Sequence, residues 1–406
     1  MKSAPFKPKL IDLFRQKRFF ELRDQIESSR GRSSSGSLFY QGAIANKFNQ
    51  IKESVEFLQQ YLKSANPTGE RLRNCYELLG DNFAKSYEYQ RAAEKFGWLM
   101  KNCSDAYTAE KRQNLEYRYS LWNAVKDTPA QTISFLDNTQ IKADRTKSNY
   151  LQFPVEINGQ KEKFIIDTGA NLSCVSKSTA RKFGLEIIDC DISVGTITDI
   201  RVNSKLAVAP KMRFGNVELE NVIFFLFEDK ELFLEKSNFQ VNGVIGYPVL
   251  QACRQISVAK TDILFIPAEY TASPTAEQNL CFDDMMPLLN LTYKNQPMTF
   301  IFDSGCRKSQ FWNKFLEFDK DEIIKSAKLK KTDVGGAGGR REIKAYIMDK
   351  IEFPVSQKNV SLEKSKVFSE SINEFNRNFF GNIGQDFMMQ FDKLTVDFVS
   401  SSVCFE

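Results

Sequence analysis

The sequence predicts a multi-domain protein in which an all-α N-terminal part is followed by an all-β part that contains the same unit twice. Up to about residue 140, apolar residues recur three or four positions apart, as on one face of a helix. From Tyr150 onward they alternate with other residues, which is the period of a half-buried strand. Within this part, an apolar strand that ends in Asp-Thr-Gly at Asp167 returns as Asp-Ser-Gly at Asp303, 136 positions later.

The helical part, residues 1–145, contains two segments that correspond to each other at a constant offset of 38. The matched pairs are Gly42 and Gly80, Ser54 and Ala92, Leu58 and Phe96, and Leu62 and Met100. The pattern resembles tetratricopeptide-like repeats, whose usual period is about 34. That resemblance implies a surface for a protein or peptide partner, whereas a plain helical bundle packed on the next domain fits the same spacing. A Ser/Gly-rich break at 30–37 precedes the first segment, and residues 107–136 are predicted to add one or two helices.

Polar stretches at 141–149 and 270–279 are interpreted as linkers. They place the predicted domain boundaries at 1–145, 146–270 and 271–406. Two hairpins are predicted inside the β part. One turns at Asn158-Gly159 after an alternating strand that begins at Leu151, and the other turns within 294–297 after a strand predicted at 288–293.

Histidine is absent from all 406 residues, which excludes whole classes of hydrolase. Ser-His-Asp and Cys-His catalysis, His-Glu-x-x-His metalloproteases and zinc sites that use imidazole all require it. Any hydrolytic chemistry must therefore use carboxylates, Lys, Tyr or Cys, and we expect neither a metal nor another cofactor. The net charge of +5 is mild, and without a basic stripe or an aromatic-basic motif it gives no reason to expect nucleic acid as a partner.

The eight cysteines include no Cys-x-x-Cys pair, and we expect buried thiols rather than a disulfide framework. The longest apolar runs are strand-sized, so no transmembrane segment is predicted. The first eight residues lack the apolar core of a signal peptide. We therefore expect either a cytoplasmic protein or a mature form whose signal has been removed, and in the second case export to the periplasm or cell envelope.

The two copies around Asp167 and Asp303 agree in four features that follow one another at near-equal spacing. Each aspartate is followed by Thr-Gly or Ser-Gly and, six residues on, by a serine. A glycine-bearing stretch comes next, and a Gly-x-Ile-Gly element closes each copy. The first copy supplies Thr168-Gly169, Ser173, Gly195-Thr196 and 243–246, and the second supplies Ser304-Gly305, Ser309, Gly335-Gly336 and 381–384. Coincidence does not account for agreement of this kind.

An apolar pair followed by Asp-[Thr/Ser]-Gly, with a downstream apolar-x-x-Gly element, resembles the signature of the aspartic proteases, specifically the retropepsin-like bacterial aspartyl proteases. The resemblance covers about residues 150–406. It implies a two-lobed, all-β acid-protease fold that is pepsin-like in having both lobes in one chain. It also implies an aspartic endopeptidase acting on a peptide or protein, in which Asp167 and Asp303, one from each lobe, activate a water molecule. Dimerisation would then not be required to form the active site.

The resemblance assigns roles to the neighbouring residues as well. Gly169 and Gly305 let the backbone turn under the carboxylates, and the hydroxyls of Thr168 and Ser304 cross-link the two loops. The glycine-bearing stretches imply two flaps that close over a substrate, with Gly195, Thr196, Gly335 and Gly336 as the flap residues. The glycine run at 334–339 has an alternative interpretation as a phosphate-binding loop, but it lacks the Lys-Ser/Thr of a P-loop.

The second copy departs from the first directly after its Asp-Ser-Gly, where Cys306-Arg307-Lys308 replaces the Ala-Asn-Leu of the first copy. The two cations either lower the pKa values of the aspartate pair and select acidic peptides, or point to solvent as surface Arg and Lys usually do. Cys306 and Cys174 are either reactive thiols or core packing. The competing functional hypothesis is a catalytically inactive peptide-binding or scaffold protein that uses its helical repeats.

Overall fold

The computed structural model describes residues 8–29, 35–146, 150–196, 200–235, 238–272, 277–336 and 339–406. The predicted break at 30–37, both glycine-bearing stretches and both predicted linkers lie partly outside the described residues. The N-terminal helices in the described residues are Leu10–Arg15 (α1), Phe19–Glu27 (α2), Ser35–Lys47 (α3), Ile51–Ala65 (α4), Gly69–Lys85 (α5), Tyr89–Cys103 (α6) and Ala109–Ala124 (α7). None of the helices described in the structure is long and apolar enough to cross a membrane.

Helices α3 and α4 pack as one pair and α5 and α6 as a second pair. A Cβ atom on Gly42 would lie 2.7 Å from Leu58 Cγ, and a Cβ atom on Gly80 would lie 2.7 Å from the ring of Phe96. Glycine is required at both places because the facing side chain fills the space. The repeated contact explains the offset of 38 in the sequence, and a tetratricopeptide-like array remains a prediction.

The rest of the chain is mainly strand. Up to residue 270 the elements are Thr132–Phe135 (β1), Thr139–Lys142 (β2), Asp144–Arg145 (β3), Leu151–Ile157 (β4), Gln160–Ile166 (β5), Ser173–Ser176 (β6), Lys177–Phe183 (α8), Glu186–Gly195 (β7), Arg201–Phe214 (β8), Val217–Phe227 (β9), Phe233–Leu234 (β10), Phe239–Gln240 (β11), Gly243–Ile245 (β12), Tyr247–Ala252 (α9), Gln255–Ala259 (β13) and Ile263–Ile266 (β14). Beyond residue 277 they are Leu280–Asp283 (β15), Met286–Tyr293 (β16), Gln296–Phe302 (β17), Gln310–Phe311 (β18), Asn313–Phe318 (α10), Lys320–Ser326 (α11), Leu329–Gly336 (β19), Gly339–Val355 (β20), Lys358–Phe368 (β21), Gly381–Ile383 (β22), Gln385–Met388 (α12), Lys393–Asp397 (β23) and Ser402–Phe405 (β24).

Two large sheets share the same central arrangement. Their strand orders are β1-β9-β6-β12-β5-β4-β8-β7, with β3 beside β4, and β15-β16-β17-β22-β18-β21-β20-β19. In each sheet the strand before the aspartate, β5 or β17, lies parallel to the short β12 or β22, which lies antiparallel to β6 or β18. A third sheet, β2-β14-β13-β23-β24, takes strands from both halves. The two aspartate strands therefore occupy equivalent places in two sheets that the third sheet joins.

Both predicted hairpins are confirmed, but the second turn is shorter than predicted, because β17 already begins at Gln296. Asn158 and Gly159 have φ values of 51° and 72°, and Lys294 and Asn295 have φ values of 47° and 61°. A two-residue type I′ turn needs positive φ at both of its central positions. These turns connect β4 to β5 and β16 to β17, so they deliver the chain into the two aspartate strands.

The helical region ends earlier than the sequence predicted. Helix α7 ends at Ala124, and the strands β1, β2 and β3 follow. The predictions of helix to about residue 140 and of a linker from residue 141 were wrong in these places. The three strands are short and largely polar, and they form because β1 pairs with β9, β2 with β14 and β3 with β4. The domain boundaries proposed from the sequence remain predictions.

The helical part docks on the second large sheet through a buried carboxylate. Asp283, the last residue of β15, lies 2.6 Å from Lys17 Nζ and 2.7 Å from Lys47 Nζ. Burial opposes ionisation of Asp283, but the two ammonium groups outweigh it and hold the pKa of this carboxyl well below its usual range. A buried charge that loses its partner is strongly destabilising, so this contact ties the helices to the β part.

Asp283→Asn should lower the free energy of unfolding by about 3 kcal/mol at pH 7, because it leaves two ammonium groups facing a neutral amide. The contribution of Asp283 is present above the unfolded pKa of about 3.9 and is lost as pH falls through the lower folded value. The difference between variant and parent should therefore shrink in acid. Chemical denaturation over a pH series measures both effects.

Asp349→Asn is the matched control for this measurement. Asp349 pairs with Lys364 at the surface, where its side chain is 83% exposed, so its loss should leave stability near that of the parent. Equal stability of the two Asp→Asn variants would contradict the docking role of Asp283.

Candidate active site

Both aspartates singled out in the sequence follow the last residue of a strand. Asp167 comes directly after β5, and its backbone N–H donates to Ile245 O at 3.0 Å. Asp303 comes directly after β17, and its backbone N–H donates to Ile383 O at 3.0 Å. The short strands β12 and β22 thus fix the points at which the two aspartate strands end.

The glycines of the Gly-x-Ile-Gly elements leave room for the neighbouring strands. A Cβ atom on Gly243 would lie 2.3 Å from the ring of Phe164, and a Cβ atom on Gly381 would lie 2.2 Å from Gln310 O. Side chains in folded proteins do not approach this closely, so only glycine fits at these two positions. Their repetition in the sequence therefore reflects the same close packing in both copies.

The two serines that follow the aspartates by six residues make the same hydrogen bond in each copy. Ser173 Oγ accepts from Gly246 N–H at 3.0 Å, and Ser309 Oγ accepts from Gly384 N–H at 3.0 Å. Both serines are buried. Each serine therefore fastens the loop after the aspartate to the short strand element beside it.

Thr168 and Ser304 cross-link the two aspartate loops. Thr168 Oγ1 donates to Phe302 O at 2.7 Å and accepts from Ser304 N–H at 2.9 Å. Ser304 Oγ donates to Ile166 O at 3.0 Å and accepts from Thr168 N–H at 3.0 Å. Because the four hydrogen bonds are reciprocal, each loop is held by the hydroxyl and the backbone of the other.

This cross-link brings the carboxyl groups of Asp167 and Asp303 together. Each carboxyl group also lies over the glycine of the opposite loop. A Cβ atom on Gly305 would lie 2.3 Å from Asp167 Cγ, and a Cβ atom on Gly169 would lie 2.7 Å from Asp303 Cγ. Any side chain at these glycines would take the space of a carboxyl group. The two glycines are therefore required by the contact itself.

Burial and the neighbouring Asp303 carboxylate raise the pKa of Asp167 well above its usual range, and the hydrogen bond between the two side chains acts in the same direction. The backbone N–H groups of Gly169 and Gly305 act in the opposite direction without cancelling the effect. Two carboxylates in contact cannot both ionise at low cost. The pair therefore retains one proton at pH values at which an exposed aspartate is ionised.

One polar group of the site was missed in the sequence. Asn382 lies on β22 with no exposed surface, and its Nδ2 donates to Asp303 Oδ2 at 2.7 Å. Asn382 pairs with Ile301 in the sheet, and Val244 pairs with Ile165 at the equivalent place in the first copy. The signal was present, because the second residue of Gly-x-Ile-Gly is valine in one copy and asparagine in the other.

The residues that depart from the first copy lie beside the aspartate pair. Cys306 N–H donates to Asp303 Oδ1 at 3.0 Å, and the Cys306 thiol donates to Lys308 O at 3.1 Å. Burial and nearby carboxylates raise the pKa of the Cys306 thiol well above its ordinary value, and burial raises the pKa of Cys174 to about 12. Both thiols are therefore protonated at neutral pH, which disfavours a nucleophilic role. Arg307 and Lys308 are exposed and line the cleft described next.

The aspartate pair lines a cleft of about 2880 Å³. The predicted flap residues line the same cleft: Gly195, Thr196, Gly335 and Gly336. They lie in two hairpins, β7–β8 and β19–β20, which approach each other in the described residues at Ile200 and Gly339, since a Cβ atom on Gly339 would lie 3.7 Å from Ile200 Cδ1. Helices α5 and α7 contribute Glu77 and Tyr117 to the lining. The cleft therefore has walls from both large sheets and from the helical part.

Two other ligand classes find no support in the described residues. Strands β19 and β20 form an antiparallel hairpin in which Gly336 pairs with Gly339. A P-loop leads from a strand into a helix, so the phosphate-binding interpretation of this glycine run is wrong. Among the residues that the structure describes, no group of three or more cysteine, aspartate or glutamate side chains is placed to hold a metal ion.

Residues 153–249 match the family model for aspartyl proteases. The match spans β4 to α9 and includes Asp167, whereas Asp303 lies outside it. No curated protein matches the chain. Among solved structures, the chain is similar to a retropepsin-like aspartic protease from Rickettsia conorii at 19% identity and a TM-score of 0.23, over 36% of this chain and 98% of that one. The family match is the finding that supports a peptide-hydrolysing function.

Thr168→Val should lower the free energy of unfolding by about 1–3 kcal/mol, because it removes a hydroxyl that donates to Phe302 O and accepts from Ser304 N–H. Thr168→Ser keeps the hydroxyl and is the matched control, since Ser304 makes the corresponding pair of bonds in the other loop. Urea unfolding of both variants measures the difference. If valine and serine were equally well tolerated, the cross-link would not be a stabilising element.

Asp167→Asn should stabilise the folded chain increasingly as pH rises. Because the pKa of Asp167 is raised on folding, its favourable contribution is complete below the unfolded value of about 3.9 and is lost as pH rises through the folded value. The neutral amide does not suffer this loss. Free energies of unfolding between pH 4 and pH 8 test the prediction, and a variant-to-parent difference that stays constant with pH would contradict it.

Proposed function

We propose that this chain is an aspartic endopeptidase whose single active site forms between two β lobes, residues 146–270 and 271–406. The observation that carries the proposal is the contact between the Asp167 and Asp303 carboxyl groups across the reciprocal Thr168 and Ser304 hydrogen bonds. The aspartyl protease family match supports it for the first copy. Because one chain supplies both aspartates, the site needs no second subunit.

The proposed nucleophile is a water molecule between the two carboxyl groups. The ionised aspartate takes a proton from this water as its oxygen bonds to the peptide carbonyl carbon. The protonated aspartate donates its proton to the carbonyl oxygen, which gives a tetrahedral diol. When the C–N bond breaks, the leaving nitrogen takes the proton that came from water, and a diol hydroxyl returns a proton to the other aspartate. The pair is then restored with one proton.

The two glycine-bearing hairpins are proposed to act as flaps over a bound peptide. Both line the cleft with the aspartate pair, and their described residues approach each other at Ile200 and Gly339. Closure of such hairpins over a substrate excludes bulk water from the reacting groups. Substrate entry would then require the two hairpins to separate at Ile200 and Gly339.

The helical part is proposed to contact the substrate, or a protein partner, beyond the scissile bond. Helix α7 packs against β7 of the first hairpin, and residues of α5 and α7 line the cleft. A long peptide in the cleft would therefore meet helical side chains such as Arg73 and Glu77. This arrangement supports an endopeptidase that acts on extended polypeptides.

Asp167→Asn and Asp303→Asn should each lower kcat/KM by at least about 10³-fold, because either change removes one of the two proton-transfer groups. Cleavage of a mixed peptide library, read by mass spectrometry, measures the loss, and circular dichroism checks that both variants are folded. Asp349→Asn, at the exposed surface, is the control and should cleave like the parent.

Two outcomes would contradict the proposal. One is cleavage by both active-site variants at the rate of the parent. The other is a folded parent that cleaves no peptide in the library and binds peptides with unchanged affinity when Asp167 or Asp303 is replaced. The second outcome would favour the inactive scaffold alternative.

A further inference from the structure

We propose that Asn382 is a positioning residue that fixes the roles within the aspartate pair: it holds the negative charge on Asp303 and leaves the shared proton on Asp167. The inference rests on the proposed function, and it names which aspartate accepts the proton of water and which one protonates the peptide carbonyl.

The contact between Asn382 and Asp303 is held firmly. Asn382 has no exposed surface, and its Nδ2 lies 2.7 Å from Asp303 Oδ2. Its strand is paired on both sides, with Ile301 of β17 and with Gln310 of β18. The preceding Gly381 packs against Gln310 O so closely that no Cβ atom would fit. The backbone therefore cannot move the amide away from the carboxylate without breaking the sheet.

Both aspartates accept from backbone N–H groups, Asp167 from Gly169 and Gly305 and Asp303 from Cys306, but only Asp303 also accepts from a side chain of the neighbouring short strand. Gly169 N–H donates to Asp167 Oδ1 at 2.8 Å, and Cys306 N–H donates to Asp303 Oδ1 at 3.0 Å. At the place equivalent to Asn382 the first copy has Val244, which has no polar group to donate. The asymmetry between the copies is therefore one side-chain donor, which Asp303 has in Asn382 and which Asp167 lacks at Val244.

A donor to a carboxylate favours its ionised form. When two carboxyl groups share one proton, the group that is better stabilised as an anion gives it up. Asp303 should therefore be the base toward water, and Asp167 the acid toward the carbonyl oxygen. The raised pKa of Asp167, caused by burial and by the Asp303 charge, agrees with a proton on that side.

The second polar atom of the Asn382 side chain is its amide oxygen, Oδ1. Asn382 Oδ1 is buried and has no hydrogen-bond partner among the described residues, and Asn382 is one of the residues at the edge of the cleft. If the amide were rotated, Oδ1 would meet Asp303 Oδ2, which is favourable only with a proton on Asp303. The orientation of this amide and the position of the shared proton are thus linked.

The test compares the parent with three variants. Asn382→Val has the valine of the first copy, and Val244→Asn has the asparagine of the second copy. The third variant, the double exchange, carries both changes. Carbon-13 NMR of labelled aspartate carboxyl groups, assigned with Asp167→Asn and Asp303→Asn, follows each group through a pH titration without substrate. In parallel, the acid limb of kcat/KM against pH is measured. Circular dichroism checks that each variant is folded. If Asn382→Val does not fold, Val244→Asn still tests the inference, because it adds an amide at the equivalent place in the first copy.

In the parent, the Asp303 carboxyl should lose its proton at lower pH than the Asp167 carboxyl. Asn382→Val should move the acid limb to higher pH by about one unit, the shift expected from losing a hydrogen bond to a charged group. The double exchange should reverse the order of the two carboxyl groups. The inference would be overturned if the two carboxyl groups lost their protons in the same order in the double exchange as in the parent. It would also be overturned if the acid limb of Asn382→Val stayed in place or moved to lower pH.

The two readouts separate this inference from the proposed function. The expected titration order without any peptide cleavage would reject the proposed function and retain the role of Asn382. Peptide cleavage together with an unaltered titration order in the double exchange would reject the role of Asn382 and retain the proposed function.

Discussion

The contact between the like-charged carboxyl groups of Asp167 and Asp303 is the constraint on which the rest of the site depends. Carboxylates in contact repel, so the contact persists only if the backbone is held from elsewhere. The reciprocal bonds of Thr168 and Ser304 hold the two loops to each other, and the short strands β12 and β22 fix where the loops begin. The third sheet joins the two halves through β13 and β23. Retention of a proton by the pair is the chemical consequence of this enforced proximity.

Features that the backbone itself demands could be predicted from the sequence. The hairpin at Asn158-Gly159 has the two positive φ values that these residues favour, and the glycines at 243 and 381 lie where no Cβ atom fits. Features that depend on a distant partner could not be predicted. Strands β1 and β2 are polar and form only because β9 and β14 accept them at an edge. The effect of Asn382 depends on its distance to Asp303, which spacing along the chain does not reveal.

The helical part is connected to the aspartate loop by a short series of contacts. Arg118 of α7 lies 2.7 Å from the Asp284 carboxylate, and the Asp284 carbonyl accepts from Asn171 Nδ2 at 2.9 Å. Asn171 is four residues beyond Asp167 in the same loop. Together with the paired lysines on Asp283, these contacts make the helices part of the support of the site. Sequence alone left open whether the helices form a partner-binding array or a bundle packed on the next domain, because the periodicity describes the helices and not the surface on which they dock.

A statine peptide carries a tetrahedral hydroxyl at the place where the proposed reaction puts the attacking water. Its binding therefore tests whether the two carboxyl groups act as one site. Calorimetry on the full chain, with the same peptide lacking that hydroxyl as the matched control, is the most direct measurement. The account predicts one statine peptide per chain, tighter binding of the hydroxyl form, and loss of that preference in Asp303→Asn. Equal binding of the two peptides by the parent chain would contradict it.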